Sequence, residues 1–269
     1  YLRGVPFMWT LGLWPMWATA SSILLFVYFV WDSILYKKET IKDHKRDDTE
    51  LQPLRLQGGI NFLWIGGIVA SAALVDSAKP LIGTDWIPFP YCRELLMLLF
   101  VVLSLKTTSD AIHKLNNFTY AAILEVAALF SGIFIAMQVP LAVLEASGKA
   151  ITASLNQPWH FFWSTGTLSS FLDNAPTYVV FFKLSQSLPD NDMLAVNDGS
   201  VPVVLLIAVS LGSVFMGAMT YIGNGPNFMV KAIAEQEGIE MPSFFGYMFK
   251  YSIPVLVPIF VLITILFLL

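Results

Sequence analysis

The chain has 269 residues, of which only 13% are charged (15 Lys and Arg, 19 Asp and Glu), about half the ~25% usual in a soluble domain. With 56% apolar residues and a mean hydropathy of +0.68, it carries too few charges to cover a water-exposed surface. That excludes a soluble globular enzyme and a disordered chain; the net charge of −4 excludes a nucleic-acid binder, and the single cysteine, Cys92, excludes a disulfide framework and a cysteine-based metal site.

Windows with no Asp, Glu, Lys or Arg run over 4–31, 56–75, 95–105, 126–144, 150–172, 199–230 and 251–269. A spanning helix needs about 20 mostly apolar residues. The apolar runs are continuous, as in Ile23 to Val30, and do not alternate as a barrel strand would. The expected fold is therefore an all-α polytopic membrane protein. Spans are expected at 10–31, 60–75, 91–105, 118–144, 201–219 and 251–269, about six transmembrane helices.

In chain order, 10–31 comes first. The loop Tyr36 to Arg55 follows, with six Lys and Arg among five acids. An excess of Lys and Arg marks cytoplasmic loops, so this loop is placed inside. Threading onward puts 106–117 and 228–250 inside too, with 11 of the 15 Lys and Arg on that side. The segment opening at Arg3-Gly4-Val5-Pro6 loosely echoes Lys250-Tyr251-Ser252-Ile253-Pro254. That echo reads either as the closing helices of two repeats or as coincidence.

Two later segments are broken. In 158–187, two apolar arms of about 13 residues flank Asp173-Asn174-Ala175-Pro176. Such arms are too short to cross the bilayer, and read as a re-entrant hairpin. In 201–236, a helical pattern runs into Thr220-Tyr221-Ile222-Gly223-Asn224-Gly225-Pro226-Asn227 and resumes at Phe228. Two glycines and a proline in eight residues read as an unwound helix, or as a loop at the membrane edge.

Polar groups inside a membrane are expensive and usually functional. Broken helices expose carbonyls and helix-end dipoles that coordinate small ions. Hard cations such as sodium want oxygen ligands. Asp173 reads as an ion ligand, as a helix N-cap, or as both. Glu125 lies in a long apolar span, either as a proton site or paired with a neighbouring helix. The eight tryptophans read mostly as an interfacial belt. There is no Walker motif, metal-ligand spacing or nucleophile elbow. The expectation is a non-enzyme without cofactors.

Ser169-Ser170-Phe171-Leu172-Asp173-Asn174-Ala175-Pro176-Thr177, with Gly223-Asn224-Gly225-Pro226-Asn227 after it, resembles the ion transporter superfamily. That group includes D-type sodium/proton antiporters, arsenite carriers and citrate or dicarboxylate carriers. Within it the chain is most similar to bacterial citrate transport and sodium:proton antiporter proteins. The stretch Glu125 to Phe134 also fits, and the resemblance covers most of 118–269. It implies two inverted repeats, each with a re-entrant hairpin and an unwound helix. This chain holds one of each, so it resembles half of an inverted-repeat transporter: the C-terminal portion of the family fold.

By that resemblance, 1–31 is the last helix of the first repeat and 32–59 a cytoplasmic loop. Residues 60–144 are scaffold and homodimer interface. Residues 158–269 are a mobile transport region, with the hairpin 158–187, the broken helix 201–236 and the final helix 251–269. The implied location is the bacterial cytoplasmic membrane. The carboxylate carriers bear Ser-Asn-Thr at the hairpin tip; here the matching residues are Asp173, Asn174 and Ala175. A carboxylate 4 Å from a bound citrate oxygen repels it by about 4 kcal/mol at an effective dielectric near 20, whereas it favours a cation. The expected function is exchange of sodium for protons by alternating access. The alternatives are sodium-coupled citrate or dicarboxylate transport and, from a different class, a non-transporting membrane subunit. The expected ion-binding residues are Asp173, Asn174, Ser170, Thr177, Gly223, Asn224 and Asn227. Sodium is expected at Asp173, Asn174 and Asn224, as substrate or coupling ion.

Overall fold

A computed structural model describes residues 4–38, 57–77, 80–81, 83–115, 120–136, 138–139, 142–143, 155–197, 199–236 and 238–269. Two compact units emerge. One is Lys38–Tyr120; the other joins Tyr1–Lys37 to Ala121–Leu269.

The described part of the smaller unit is a pair of apolar helices, α2 (Ile60–Leu74) and α3 (Cys92–Thr107), followed by α4 (Asp110–Leu115). Helices in lipid gain little from apolar contact alone, so small residues and polar pairs hold them together. Both devices are present. Gly67 sits against the Phe100 ring so closely that a Cβ there would lie 2.6 Å from it. Asn61 Nδ2 donates to Thr108 Oγ1 (2.9 Å), Ser104 Oγ donates to Asn61 Oδ1 (2.7 Å) and Trp64 Nε1 donates to Thr107 Oγ1 (2.9 Å).

The larger unit begins with a 3₁₀ turn, Phe7–Leu13, continuous with α1 (Trp14–Tyr36). Pro15 stands in the first turn of α1, where its missing N–H has no partner to lose. The combined 30 residues are long and apolar enough to cross a membrane. Most of this surface is bare: Leu25, Phe26 and Phe29 are 66%, 67% and 68% exposed. After α5 (Ala121–Ala136) come α6 (Pro158–Ser169) and α7 (Asn174–Ser185), two 12-residue helices that form a helical hairpin. Each is about 18 Å long, short of the ~30 Å hydrocarbon core. A small antiparallel ribbon follows, β1 (Met193–Val196) paired with β2 (Gly199–Pro202). Then come α8 (Val203–Phe215), a 3₁₀ turn (Met216–Met219) and α9 (Gly225–Gln236). The last rod is α10 (Phe244–Tyr247), a π turn (Met248–Ser252) and α11 (Ile253–Phe267). Its 24 residues form the second helix long enough to cross a membrane among the described residues.

The chain is helical, as its composition requires, and both expected breaks are present. Several boundaries differ: the first span, expected at 10–31, runs from Phe7 to Tyr36, and three others shift for identifiable reasons. The span expected from 201 starts as strand and becomes helix only at Val203, because Val201, wholly buried, pairs with Leu194 in the ribbon and Pro202 ends it opposite Met193. Helix resumes at Gly225 rather than Phe228, since Pro226 is tolerated in a first turn. The last rod starts at Phe244, capped by Ser243, whose Oγ accepts from Gly246 N–H.

The core of this unit is the seam between α6, α7, α8 and α11. Phe162 stands edge-on to Phe260, ring centroids 6.3 Å apart. Trp163 Nε1 donates to Thr264 Oγ1 at 3.1 Å, tying the hairpin to α11. Across α6 and α8, Gly212 lies against the Phe162 backbone; a Cβ there would be 2.5 Å from the Phe162 carbonyl oxygen. A Gly212→Ala variant should therefore force α6 and α8 apart and lose about 1–3 kcal/mol. By contrast Gly132, with open space around it, should tolerate alanine or gain up to about 1 kcal/mol of helix propensity. Unfolding midpoints in detergent micelles check the pair, and equal midpoints would refute the close approach.

Candidate functional site

Both breaks of the larger unit meet at one place. At the first, α6 runs out at Ser170, and Asp173 turns extended (φ −63°, ψ 153°) as the residue capping α7. At the second, α8 tightens into the 3₁₀ turn, Thr220 turns extended (φ −138°, ψ 166°) and α9 opens at Gly225. Each break frees carbonyls from helical pairing. A carbonyl buried without a donor is costly, so each needs one from elsewhere.

Side chains supply these donors. Ser169 Oγ donates to the Ser213 carbonyl (2.6 Å) and Ser170 Oγ to the Met216 carbonyl (3.0 Å). Thr220 Oγ1 donates to the Ser170 carbonyl and accepts from Gly223 N–H (3.0 Å). Asn227 Nδ2 donates to the Gly217 carbonyl (2.9 Å) and the Thr220 carbonyl (3.1 Å). Tyr247 reaches from the last rod, its hydroxyl donating to the Ala218 carbonyl (3.1 Å). The hairpin tip and the unwound segment thus bond to each other through side chains on both.

Asn174 joins the same network from α7. Its amide nitrogen faces acceptors: Ser169 Oγ (2.9 Å), the Ser213 carbonyl (2.7 Å) and the Gly223 carbonyl (2.9 Å). Its oxygen accepts from Asn224 Nδ2 at 3.3 Å. Such an orientation is set by the partners, since nitrogen and oxygen are otherwise alike. Glycine makes the crossing possible. A Cβ on Gly223 would lie 2.5 Å from the Gly217 carbonyl oxygen, 2.8 Å from that of Ser169 and 3.0 Å from that of Ser170. Only a residue without a side chain lets three carbonyls come so near.

Asp173 is the one charged side chain buried among the described residues, at 7% exposure. Its carboxylate lies against the N–H groups of Asn174, Ala175 and Gly225. The first two open α7 and the third opens α9. Their alignment falls short of a regular N-cap hydrogen bond to the side chain, so the attraction is that of two helix ends for one anion. Thr177, 1% exposed, donates from Oγ1 to the Asp173 backbone carbonyl at 3.1 Å.

The residues singled out in the sequence therefore gather at one locus. Ser170, Asp173, Asn174, Gly223, Asn224 and Asn227 share it, and Thr177 faces back into its own helix. Asn174, expected as an oxygen ligand, presents its nitrogen to the carbonyl cluster instead. The side chain of Glu125 lies outside the described residues. Ser169 and Thr220 stood in the quoted motifs without an assigned role, and three participants, Ser213, Gly217 and Tyr247, were not singled out at all. Ser213 and Gly217 carried a faint signal, being small residues in an otherwise apolar helix. Tyr247 carried none.

Thr220 has two partners, so removing its hydroxyl strands two buried backbone groups. A Thr220→Val variant should lose about 1–3 kcal/mol, while Thr220→Ser should stay close to the parent. Detergent-micelle unfolding of the two variants checks this. A valine variant as stable as the parent would show that the two segments hold together without the bond.

The chain matches the family model described as "Putative citrate transport" over residues 1–268. No curated protein and no solved structure matches it. The match spans both apolar rods, the helical hairpin and the broken helix, so the chain belongs to this citrate transport family.

Proposed function

We propose that the chain works in a secondary active transporter that exchanges sodium ions for protons by alternating access, with Asp173 as the shared site. The family description supports a transport role. The two long apolar rods support a membrane setting. The observation that carries the finer reading is the burial of Asp173 at the meeting of two helix N-termini. A single carboxyl group that takes either a proton or a sodium ion, opened alternately to each side, is sufficient for exchange.

In this reading sodium is held by the Asp173 carboxylate with oxygens of Asn224 and of the carbonyls around Gly223. Asn174 contributes an oxygen only after its amide turns over. That step gives up its bonds to the Ser213 and Gly223 carbonyls, so ion entry is coupled to loosening of the hairpin from α8. Ser170 and Asn227 keep the opening in shape. The hairpin is re-entrant, the 60–144 helices are the scaffold and dimer interface, and the protein is multi-pass in the bacterial cytoplasmic membrane.

The family description favours a second reading, sodium-coupled citrate uptake. Two helix N-termini are a ready site for a substrate carboxylate. Here, however, Asp173 brings its own carboxylate to that position, and a second anion 4 Å away is opposed by about 4 kcal/mol at an effective dielectric near 20.

The test is flux in proteoliposomes, with and without citrate. Sodium-driven proton movement without citrate is expected, and Asp173→Asn should reduce it to the level of empty liposomes. An Asp173→Asn variant with intact flux would overturn the role of Asp173. Labelled citrate accumulation, with little exchange in its absence, would replace the first reading by the second. No flux of either kind would point to a non-transporting membrane subunit.

A further inference from the structure

The last rod touches both broken elements, and does so from two different halves. Its long half, α11, is tied to the hairpin by Phe162 against Phe260 and by the bond from Trp163 to Thr264. Its short half, α10, ends at Tyr247, which grips the unwound segment at two points. The Tyr247 hydroxyl donates to the Ala218 carbonyl (3.1 Å), and its ring stacks on Tyr221, centroids 4.5 Å apart and planes 21° apart. Tyr221 is buried in its turn. Its hydroxyl donates to the Pro242 carbonyl at 3.1 Å, and Lys231 of α9 holds its Nζ 5.5 Å from the ring centroid. Between the two points lies Thr220, which bonds the Ser170 carbonyl of the hairpin tip. Next to Ala218 stands Gly217, whose carbonyl comes closest to Gly223. Tyr247 thus brackets the stretch through which the unwound segment meets the hairpin.

A joint separates the two halves of the rod. Over Met248–Ser252 the helix widens to a π turn, and the Met248 carbonyl accepts from the N–H of Ile253, five residues on. The Ser252 hydroxyl is buried there without a hydrogen-bond partner, although buried hydroxyls are normally paired. Pro254 follows, with no N–H to give back to the turn. The stretch joining Tyr247 to α11 is therefore held by fewer bonds than a regular helix, and single π turns inside helices are frequent at functional sites.

We propose that Tyr247 is a positioning residue for ion binding. By holding Ala218 and Tyr221 it keeps the unwound segment bonded to the hairpin tip, and a turn of α10 at the π joint releases that hold. The inference rests on the reading of Asp173 as a shared site for sodium and protons. In that reading the ion site forms as the bonds around the tip loosen, so Tyr247 stabilises the ion-free arrangement. A protein whose binding-competent arrangement is scarce binds its ligand more weakly in proportion. Removing the Tyr247 hydroxyl should therefore strengthen sodium binding, whereas loss of an ordinary structural contact would not.

The test follows the thermal midpoint of the full chain in detergent against sodium concentration, with choline chloride holding total salt constant. A ligand bound only to the folded state raises the midpoint, so the parent should respond saturably. Tyr247→Phe keeps the ring and loses only the hydroxyl. Its midpoint without sodium should fall slightly, while its half-saturating sodium concentration should drop about three- to tenfold. Tyr247→Leu, which loses the stacking on Tyr221 as well, should drop further. Asp173→Asn should lose the sodium response altogether. Half-saturation unchanged or raised in Tyr247→Phe, beside a parent response that depends on Asp173, would overturn the role of Tyr247 and leave that of Asp173 standing. A parent without a sodium response, or a response that survives in Asp173→Asn, would overturn the exchange reading and this inference with it.

Discussion

The larger unit is governed by one constraint: a carbonyl released from a helix in apolar surroundings must find a donor. A continuous helix satisfies its own backbone and needs nothing from its neighbours. This chain breaks two helices, and every break creates acceptors that water cannot reach. Serine, threonine, asparagine and tyrosine side chains supply the donors: Ser169, Ser170 and Thr220 bond across to the other broken element, Tyr247 reaches in from the last rod, and Asn227 serves its own broken segment. Each break is therefore tolerable only because the other is beside it.

That mutual dependence explains the close backbone approach. Side-chain hydroxyls of serine are short, so their carbonyl partners must be brought within about 3 Å. The glycines do this. Gly212 lets α8 meet α6, and Gly223 lets the unwound segment cross the hairpin tip. Phe162 against Phe260 then holds the first arm of the hairpin on α11, where Trp163 also fixes it to Thr264, and Phe161 meets Phe181 across the two arms. Packing sets the position of the breaks, and hydrogen bonds set their internal geometry.

Much of this was legible in the sequence, for a physical reason. A bilayer forces charge-free windows of a minimum length, so departures stand out: arms too short to cross, glycine and proline inside an apolar run, one Asp between them. Those signals located Ser170, Asp173, Asn174, Gly223, Asn224 and Asn227. What stayed hidden depends on tertiary partners. The ribbon of Met193–Val196 and Gly199–Pro202 is too short to have a period of its own. The nitrogen-inward orientation of Asn174 follows from acceptors on α8 and beyond the break, 39 to 49 residues away in the chain. Ser213 looks like any small residue of an apolar helix until Ser169 is placed opposite its carbonyl.

The same constraint bears on how the proposed exchange is coupled to movement. Asp173 is compensated from two directions, by the end of its own helix and by the end of α9. The first source moves with it, because Asn174 and Ala175 adjoin it in the chain. The second is Gly225, whose position depends on the bonds between the unwound segment and the hairpin tip. If those bonds loosen, the carboxylate keeps one helix end and loses the other, and a cation or a proton becomes the remaining compensation. The freed carbonyls lose their side-chain donors in the same step and become available to a cation. Loosening therefore creates both the charge deficit and the oxygens that an ion needs, whereas a tightly bonded tip offers neither. A site built this way links occupancy to the hairpin's attachment without any separate gate.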